Sequence, residues 1–271
     1  QFLPPLKKEF LDLRIMPVQR KIFMQVDLLC SGSKGNSCLI RTKNSSLLID
    51  CGSTKKYLMN ALGSVNQRVD DLNALLVTHA HTDHVSQLKH FRHLPVYSYC
   101  DLKDLDNHRI VRPLQEFDVN EFHIQVISLS HDSPNTVGYV IYADGKKLVY
   151  VTDTGYVSNE VKTYLENADY YIFESNHDIE TLMNTNRPMF LKQRILGDSG
   201  HLNNLDASSN LASLINSKTK EIVLAHISEE ANDPSIALKC IHDHFLKKDL
   251  PYRGVNIRAA KQHEILTIKS F

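Results

Sequence analysis

Three histidines and an aspartate crowd into the run Thr78-His79-Ala80-His81-Thr82-Asp83-His84. Imidazole nitrogens and carboxylate oxygens at this density are metal-donor chemistry. They suit zinc, and manganese or iron where oxygen donors are numerous. The run follows directly on the apolar segment 74–78, which reads as a strand. Alternate residues of an extended segment share a side, so His79 and His81 converge on one ion. Asp83 and His84 begin a turn into a helix and are redirected to a second point. One short segment can therefore serve two adjacent ions.

The same placement recurs downstream. His131 closes the apolar run 124–130, Asp153 closes 148–152 and His226 closes 221–225. Taken singly, a strand-end His or Asp is more often a cap or turn residue. Joined to the first cluster, these three complete seven donors for two ions. The chain carries 14 histidines, roughly twice average usage. Several read as surface residues: His90, His93, His108, His242, His244 and His263. His123, at a strand start, reads as structural.

The elements that must hold these donors are mainly strands. Apolar or β-branched runs at 26–30, 37–41, 47–50, 74–78, 95–99, 123–129, 137–142, 147–151, 170–173, 221–225 and 264–268 predict them. Asp144-Gly145 between two of the runs is a hairpin signal. Helical periodicity appears at 54–62, 86–93, 158–167, 205–216 and 235–247. Strands in runs punctuated by a few helices imply an α+β layered sandwich, not a doubly wound sheet. No linker marks a second domain. The pattern starts at Met24, so residues 1–23 read as an extension of one domain spanning 24–271, or as a terminal element packed on it.

Composition narrows the class. Lys+Arg and Asp+Glu are equal at 31 each, so net charge advertises neither a nucleic acid nor a membrane. Local basic residues that could still meet a polyanion are Lys34, Arg41, Lys55, Lys56, Arg187, Lys192 and Arg194. Five cysteines with no Cys-x-x-Cys pair exclude a thiolate zinc module and point to a reducing, cytoplasmic setting. No apolar stretch reaches the ~20 residues of a membrane helix, and the opening residues make a poor signal peptide.

The signature His-x-His-x-Asp-His at 79–84, followed in order by His131, Asp153 in Val-Thr-Asp-Thr-Gly and His226, resembles the metallo-β-lactamase superfamily. The resemblance covers the chain from Met24 onward and implies a four-layer αββα sandwich. It implies that His79, His81 and His131 hold one metal, that Asp83, His84 and His226 hold the other, and that Asp153 bridges them. Asp50, in Leu-Ile-Asp-Cys-Gly, would orient the ligand loop from behind; it is otherwise an ordinary turn residue. Five islands, at 29–37, 130–139, 174–178, 197–204 and 226–232, further resemble the YycJ branch, also called WalJ or VicX. That branch implies DNA-processing hydrolysis with 5′-to-3′ exonuclease polarity, and an association with a two-component signalling system.

The implied chemistry is hydrolysis by a hydroxide bridging two divalent ions, zinc or manganese and possibly iron, with Asp83 in the catalytic set. The Ser31–Ser37 loop could offer donors to a phosphate, with Ser31, Ser33 and Asn36 as substrate contacts, or be a plain turn. His201 would contact phosphate or protonate the leaving group. For His177, substrate contact and a structural hydrogen bond to Asp178 are both open. DNA is the expected substrate. Alternatives on the same fold are a thioester, a lactone, a β-lactam or a small cyclic phosphodiester. A different class is a non-catalytic module of the signalling system. The interval from Asp153 to His226 is too short for a large inserted domain.

Overall fold

Alternation in the apolar runs sends successive side chains to opposite faces of a strand, and this sets the layers. The computed structural model describes residues 24–103, 105–250 and 252–269; the extension expected at 1–23 lies outside them. In the first sheet, β1 (Gln25–Cys30), β2 (Ser37–Arg41), β3 (Ser46–Ile49), β4 (Ala74–Val77), β5 (Val96–Ser98) and β6 (His108–Ile110) lie side by side in chain order. The second holds β7 (Glu116–Val119), β8 (Phe122–Ser128), β9 (Val137–Ala143), β10 (Lys146–Val151), β11 (Tyr170–Glu174), β12 (Glu221–Ala225) and β13 (Asn256–Ala259). The last strand, β14 (Leu266–Lys269), returns to pair with β1.

Ala74 and Leu76 of β4 enter a core shared by both sheets, as do Tyr170 and Ile172 of β11. Leu75 and Val77 point outward, under α1 (Lys55–Ser64). Tyr171 and Phe173 point the other way, onto a cluster with residues of α3 (Asn159–Leu165), α6 (Asn204–Leu214) and α7 (Pro234–Lys247). The order is helix, sheet, sheet, helix, as expected. Four of these helices begin where a side-chain cap stops the extended chain: Thr54, Ser158, Asn203 and Asp233 each accept a backbone N–H of the first turn. The β9–β10 hairpin turns on Asp144 and Gly145, both at positive φ of 50° and 71°, as a two-residue turn of that hand requires.

The helix expected over 86–93 does not form. A short α2 (Thr82–Val85) ends instead near Ser86 and Gln87, whose side chains both donate to the Ser53 carbonyl at 2.8 Å. A single 3₁₀ turn, Leu88–His90, follows. Those bonds turn the chain toward β5. Two helices were not foreseen, α4 (Ile179–Asn184) and α5 (Met189–Leu196), and both lie between β11 and His201.

One edge of the sandwich collects strand ends. Asp50 follows β3, Thr78 and His79 follow β4, Asp153 lies just past β10, Glu174 ends β11 and His226 follows β12. No helix among the described residues is long and apolar enough to cross a membrane.

Candidate metal centre

The site begins behind the donors. Asp50 is wholly buried and at positive φ (57°). Its Oδ1 accepts the Thr78 N–H at 2.8 Å, and its Oδ2 accepts the Thr78 hydroxyl at 2.9 Å and meets His84 Nδ1 at 2.8 Å. A carboxylate on Nδ1 fixes the tautomer and turns Nε2 forward. Gly52 lets the same loop press on the histidine run, since a Cβ there would stand 1.6 Å from the Asp83 carbonyl oxygen. That contact lets Asn36 N–H bond Asp83 O at 2.8 Å and Cys51 N–H bond His84 O at 2.8 Å.

Two expected triads are assembled. His79, His81 and His131 bring one ring nitrogen each within 4.8 Å of one another, and so do the donor atoms of Asp83, His84 and His226. Asp153 stands between them. Its Oδ2 is 3.1 Å from His84 Nε2, and its Oδ1 is 3.4 Å from His226 Nε2 and 3.9 Å from His131 Nε2. Asp153 and His226 share the left-handed backbone with Asp50, at φ 59° and 53°. For a non-glycine residue that conformation costs energy, which the surrounding contacts must offset.

The residues fit a pair of cations. Buried polar atoms are nearly always hydrogen-bonded, yet His79 Nε2, Asp153 Oδ2 and His226 Nε2 have no hydrogen-bond partner. All three belong to the donor groups. Burial, helped by the neighbouring His84, holds His79 well below the usual histidine range, so it stands as a neutral donor. Burial opposes charge on Asp153 as well, but His226 and His84 outweigh it and keep the carboxyl ionised. Burial would likewise discharge His226, yet Asp153, Asp83 and Glu174 push it up to about 10. Imidazole and carboxylate with no thiolate form a hard-to-borderline donor set.

The remaining expected residues separate. Ser31 is buried, and its Oγ accepts the His226 N–H at 2.8 Å. Asn36 is buried too; its amide bonds Gly32 at both ends and lies 2.9 Å from His84 Nε2. Both therefore brace the segments that carry the donors. Ser33 is exposed and lines a cavity beside the cluster. His177 lies deeper. It is wholly buried, burial pulls its pKa down to about 4, and its ring nitrogens have no hydrogen-bond partner, while Asp178 caps α4.

His201 does reach the site, 5.0 Å from the His131 ring and 5.2 Å from that of His226, centroid to centroid. What holds it was missed. Glu174 Oε1 bonds His201 Nδ1 at 2.8 Å and lies 3.2 Å from His226 Nδ1, while Oε2 accepts the Thr154 and Leu202 N–H groups. Burial opposes charge on Glu174, but the facing His201 and His226 keep its carboxyl below the usual range. The signal was present, since Glu174 closes its strand as Asp153 and His226 nearly close theirs.

Comparison with known proteins agrees with this geometry. Residues 46–227 match the family model described as the beta-lactamase superfamily domain. The chain is 32% identical to the exodeoxyribonuclease WalJ of Streptococcus pneumoniae over 245 residues, covering 85% of this chain and 91% of that protein. It is 34% identical to the exodeoxyribonuclease YycJ of Bacillus anthracis over 227 residues, covering 79% and 86%. Among solved structures, the metallo-β-lactamase fold protein YhfI of Bacillus subtilis superposes with a TM-score of 0.67 at 18% identity, covering 92% of this chain and all of that one.

Proposed function

The chain belongs to the β-lactamase superfamily, and from that premise we propose that it is a two-metal phosphodiesterase acting on DNA as a 5′-to-3′ exonuclease. The observation that carries the two-metal reading is Asp153, set between two complete triads with buried donor atoms left unsatisfied. DNA as substrate is supported by the exodeoxyribonuclease names of relatives that match along most of their length.

His79, His81 and His131 would hold one ion, Asp83, His84 and His226 the other, and Asp153 both; zinc and manganese fit this donor set best. When bound, such a pair lowers the pKa of a shared water enough to supply a nucleophile near neutral pH. The chain's own residues do the rest. Asp50 and Thr78 hold the His84 ring, and Ser31 and Asn176 hold the His226 segment, with Asn176 Nδ2 donating to the His226 carbonyl at 2.9 Å. Glu174 occupies His201 Nδ1, which leaves Nε2 to donate to a phosphoryl oxygen or to the departing 3′ oxygen. Glu174 thereby fixes the orientation of the His201 ring, as a general acid's partner must. Ser33 is the one serine of the loop placed to meet substrate. All five cysteines are free thiols, four of them buried, which accords with a reducing cytoplasm.

A non-catalytic signalling module would be expected to have lost some of these donors, and an Asp at position 153 would set the chain apart from typical β-lactamases. Metal analysis of the purified protein, coupled to hydrolysis of 5′-phosphorylated DNA, RNA, a chromogenic phosphodiester, a thioester and a β-lactam, tests the proposal. DNA hydrolysis that needs metal is expected. Cleavage of only the last two would sink the nuclease assignment.

A further inference from the structure

The basic side chains that stood out in the sequence do not serve one purpose. Arg41 is tied to Asp27 and the Val65 carbonyl, and the buried Lys192 ammonium bonds the Met183 and Thr185 carbonyls. Those two hold the fold. Arg187 and Arg194 instead line a cavity of about 150 Å3 together with Ser33, Asn176, Ser228, His201 and the carboxylate Asp132, which pairs with Arg194. This volume falls below the ~300 Å3 at which sites for whole small molecules begin, and it suits one phosphate-sized group.

The cavity adjoins the donor cluster on two sides. His201 belongs to both. Asp132 pairs with Arg194 and lies 3.4 Å from His131 Nε2 and 3.7 Å from His81 Nε2. Arg187 is held by Glu230 at 2.8 Å. A guanidinium paired along one edge keeps N–H groups for a second oxyanion. Ser228 Oγ already accepts the Ala231 N–H at 3.1 Å, so its own hydrogen is free to donate. Gly200 closes the wall; a Cβ there would stand 2.2 Å from the Ile195 carbonyl oxygen.

Next to the cavity, α5 leaves Phe190 72% exposed. Phe190 and Arg194 are four residues apart and share a helix face. An exposed aromatic one helical turn from a cation that lines a phosphate-sized cavity is suited to a single strand, base on ring and phosphate on guanidinium.

We propose that this cavity is a phosphate subsite: Arg187, Arg194 and Ser228 hold a phosphate of the DNA strand other than the one cleaved, and Phe190 stacks on a neighbouring base. The subsite rests on the nuclease reading above. Its phosphate is either the terminal 5′-phosphate or an internal one.

The holoenzyme is assayed on a 5′-phosphorylated oligonucleotide, on the same strand with a 5′-hydroxyl, and on bis(p-nitrophenyl) phosphate, which carries a single phosphate. Arg187→Gln and Arg194→Gln each raise the oligonucleotide KM about tenfold, the scale of one lost charge-assisted hydrogen bond. The rise for the chromogenic diester is much smaller. Binding of a cleavage-resistant phosphorothioate strand loses about 0.7 from its log–log salt slope per arginine removed. Phe190→Leu weakens that binding roughly fivefold or more. A KM rise confined to the 5′-phosphorylated strand assigns the terminal phosphate, and an equal rise on both strands assigns an internal one; either supports the subsite. If wild-type protein cleaves DNA while the variants bind and cleave it unchanged, or lose the chromogenic diester equally, the subsite is wrong and the nuclease reading stands. Wild-type protein that cleaves the chromogenic diester and no DNA overturns both.

Discussion

The donor cluster and the α4–α5 segment lie side by side and are built on opposite principles. Behind the donors, Asp50, Thr78 and His84 are buried and hydrogen-bonded to one another, and Asp50, Asp153 and His226 hold a costly backbone conformation. Along α4 and α5, Ile179, Met183, Met189, Phe190 and Leu196 are exposed, and the arginines are held by single carboxylates at the surface. Rigidity suits a site that must present several donors to charge at fixed points. Adaptable surface suits a site that meets a long, varied polymer. By the proposals above, the first region would activate water and the second would select what that water attacks.

The largest effect should come from the rigid region. Asp153→Asn removes the charge that faces both triads, and hydrolysis of DNA and of the chromogenic diester should both fall by at least about a hundredfold, the lower end for losing one electrostatic stabiliser. Retained activity would separate Asp153 from the chemistry. His201→Ala should lower kcat by about 10²–10⁴-fold with little change in KM, the range for a general acid; a KM effect alone would make it a binding residue. Asp50→Asn should cost roughly 10–100-fold in metal affinity, because His84 loses its orienting carboxylate. A calorimetric metal titration checks this, and unchanged affinity would leave Asp50 as a turn residue.

These residues were not equally legible. The His79–His84 run could be read because its donors are consecutive, and His131, Asp153 and His226 because each closes an apolar run. Two-residue alternation made most strands visible. Glu174 closes an apolar run as His131, Asp153 and His226 do, but it acts through His201, 27 positions away in the chain, a pairing that spacing does not encode. His177, in the same segment, leaves substrate contact and a structural role both open in the sequence, and its ring packs inside. The α4 and α5 helices are short, of 6 and 8 residues, too brief for periodicity to declare itself. Which of the seven basic candidates face the site depends on tertiary pairing, which spacing does not encode.

His177 gives the smallest expected effect and a sharp boundary for the site. Its two ring nitrogens are buried without partners, so an apolar replacement such as His177→Leu removes a desolvation cost. The variant should keep wild-type kcat and KM, with a melting temperature equal or slightly higher. A collapse of kcat in a folded His177→Leu protein would extend the active site inward to α4.

Metal stoichiometry bears on the central claim most directly: one closed set of seven donors holds two ions. Elemental analysis of the wild-type protein, read beside DNA hydrolysis, should give two divalent ions per chain. His226→Ala should retain close to one ion and lose hydrolysis. A wild-type protein that hydrolyses DNA at full rate with one ion or none would contradict the account.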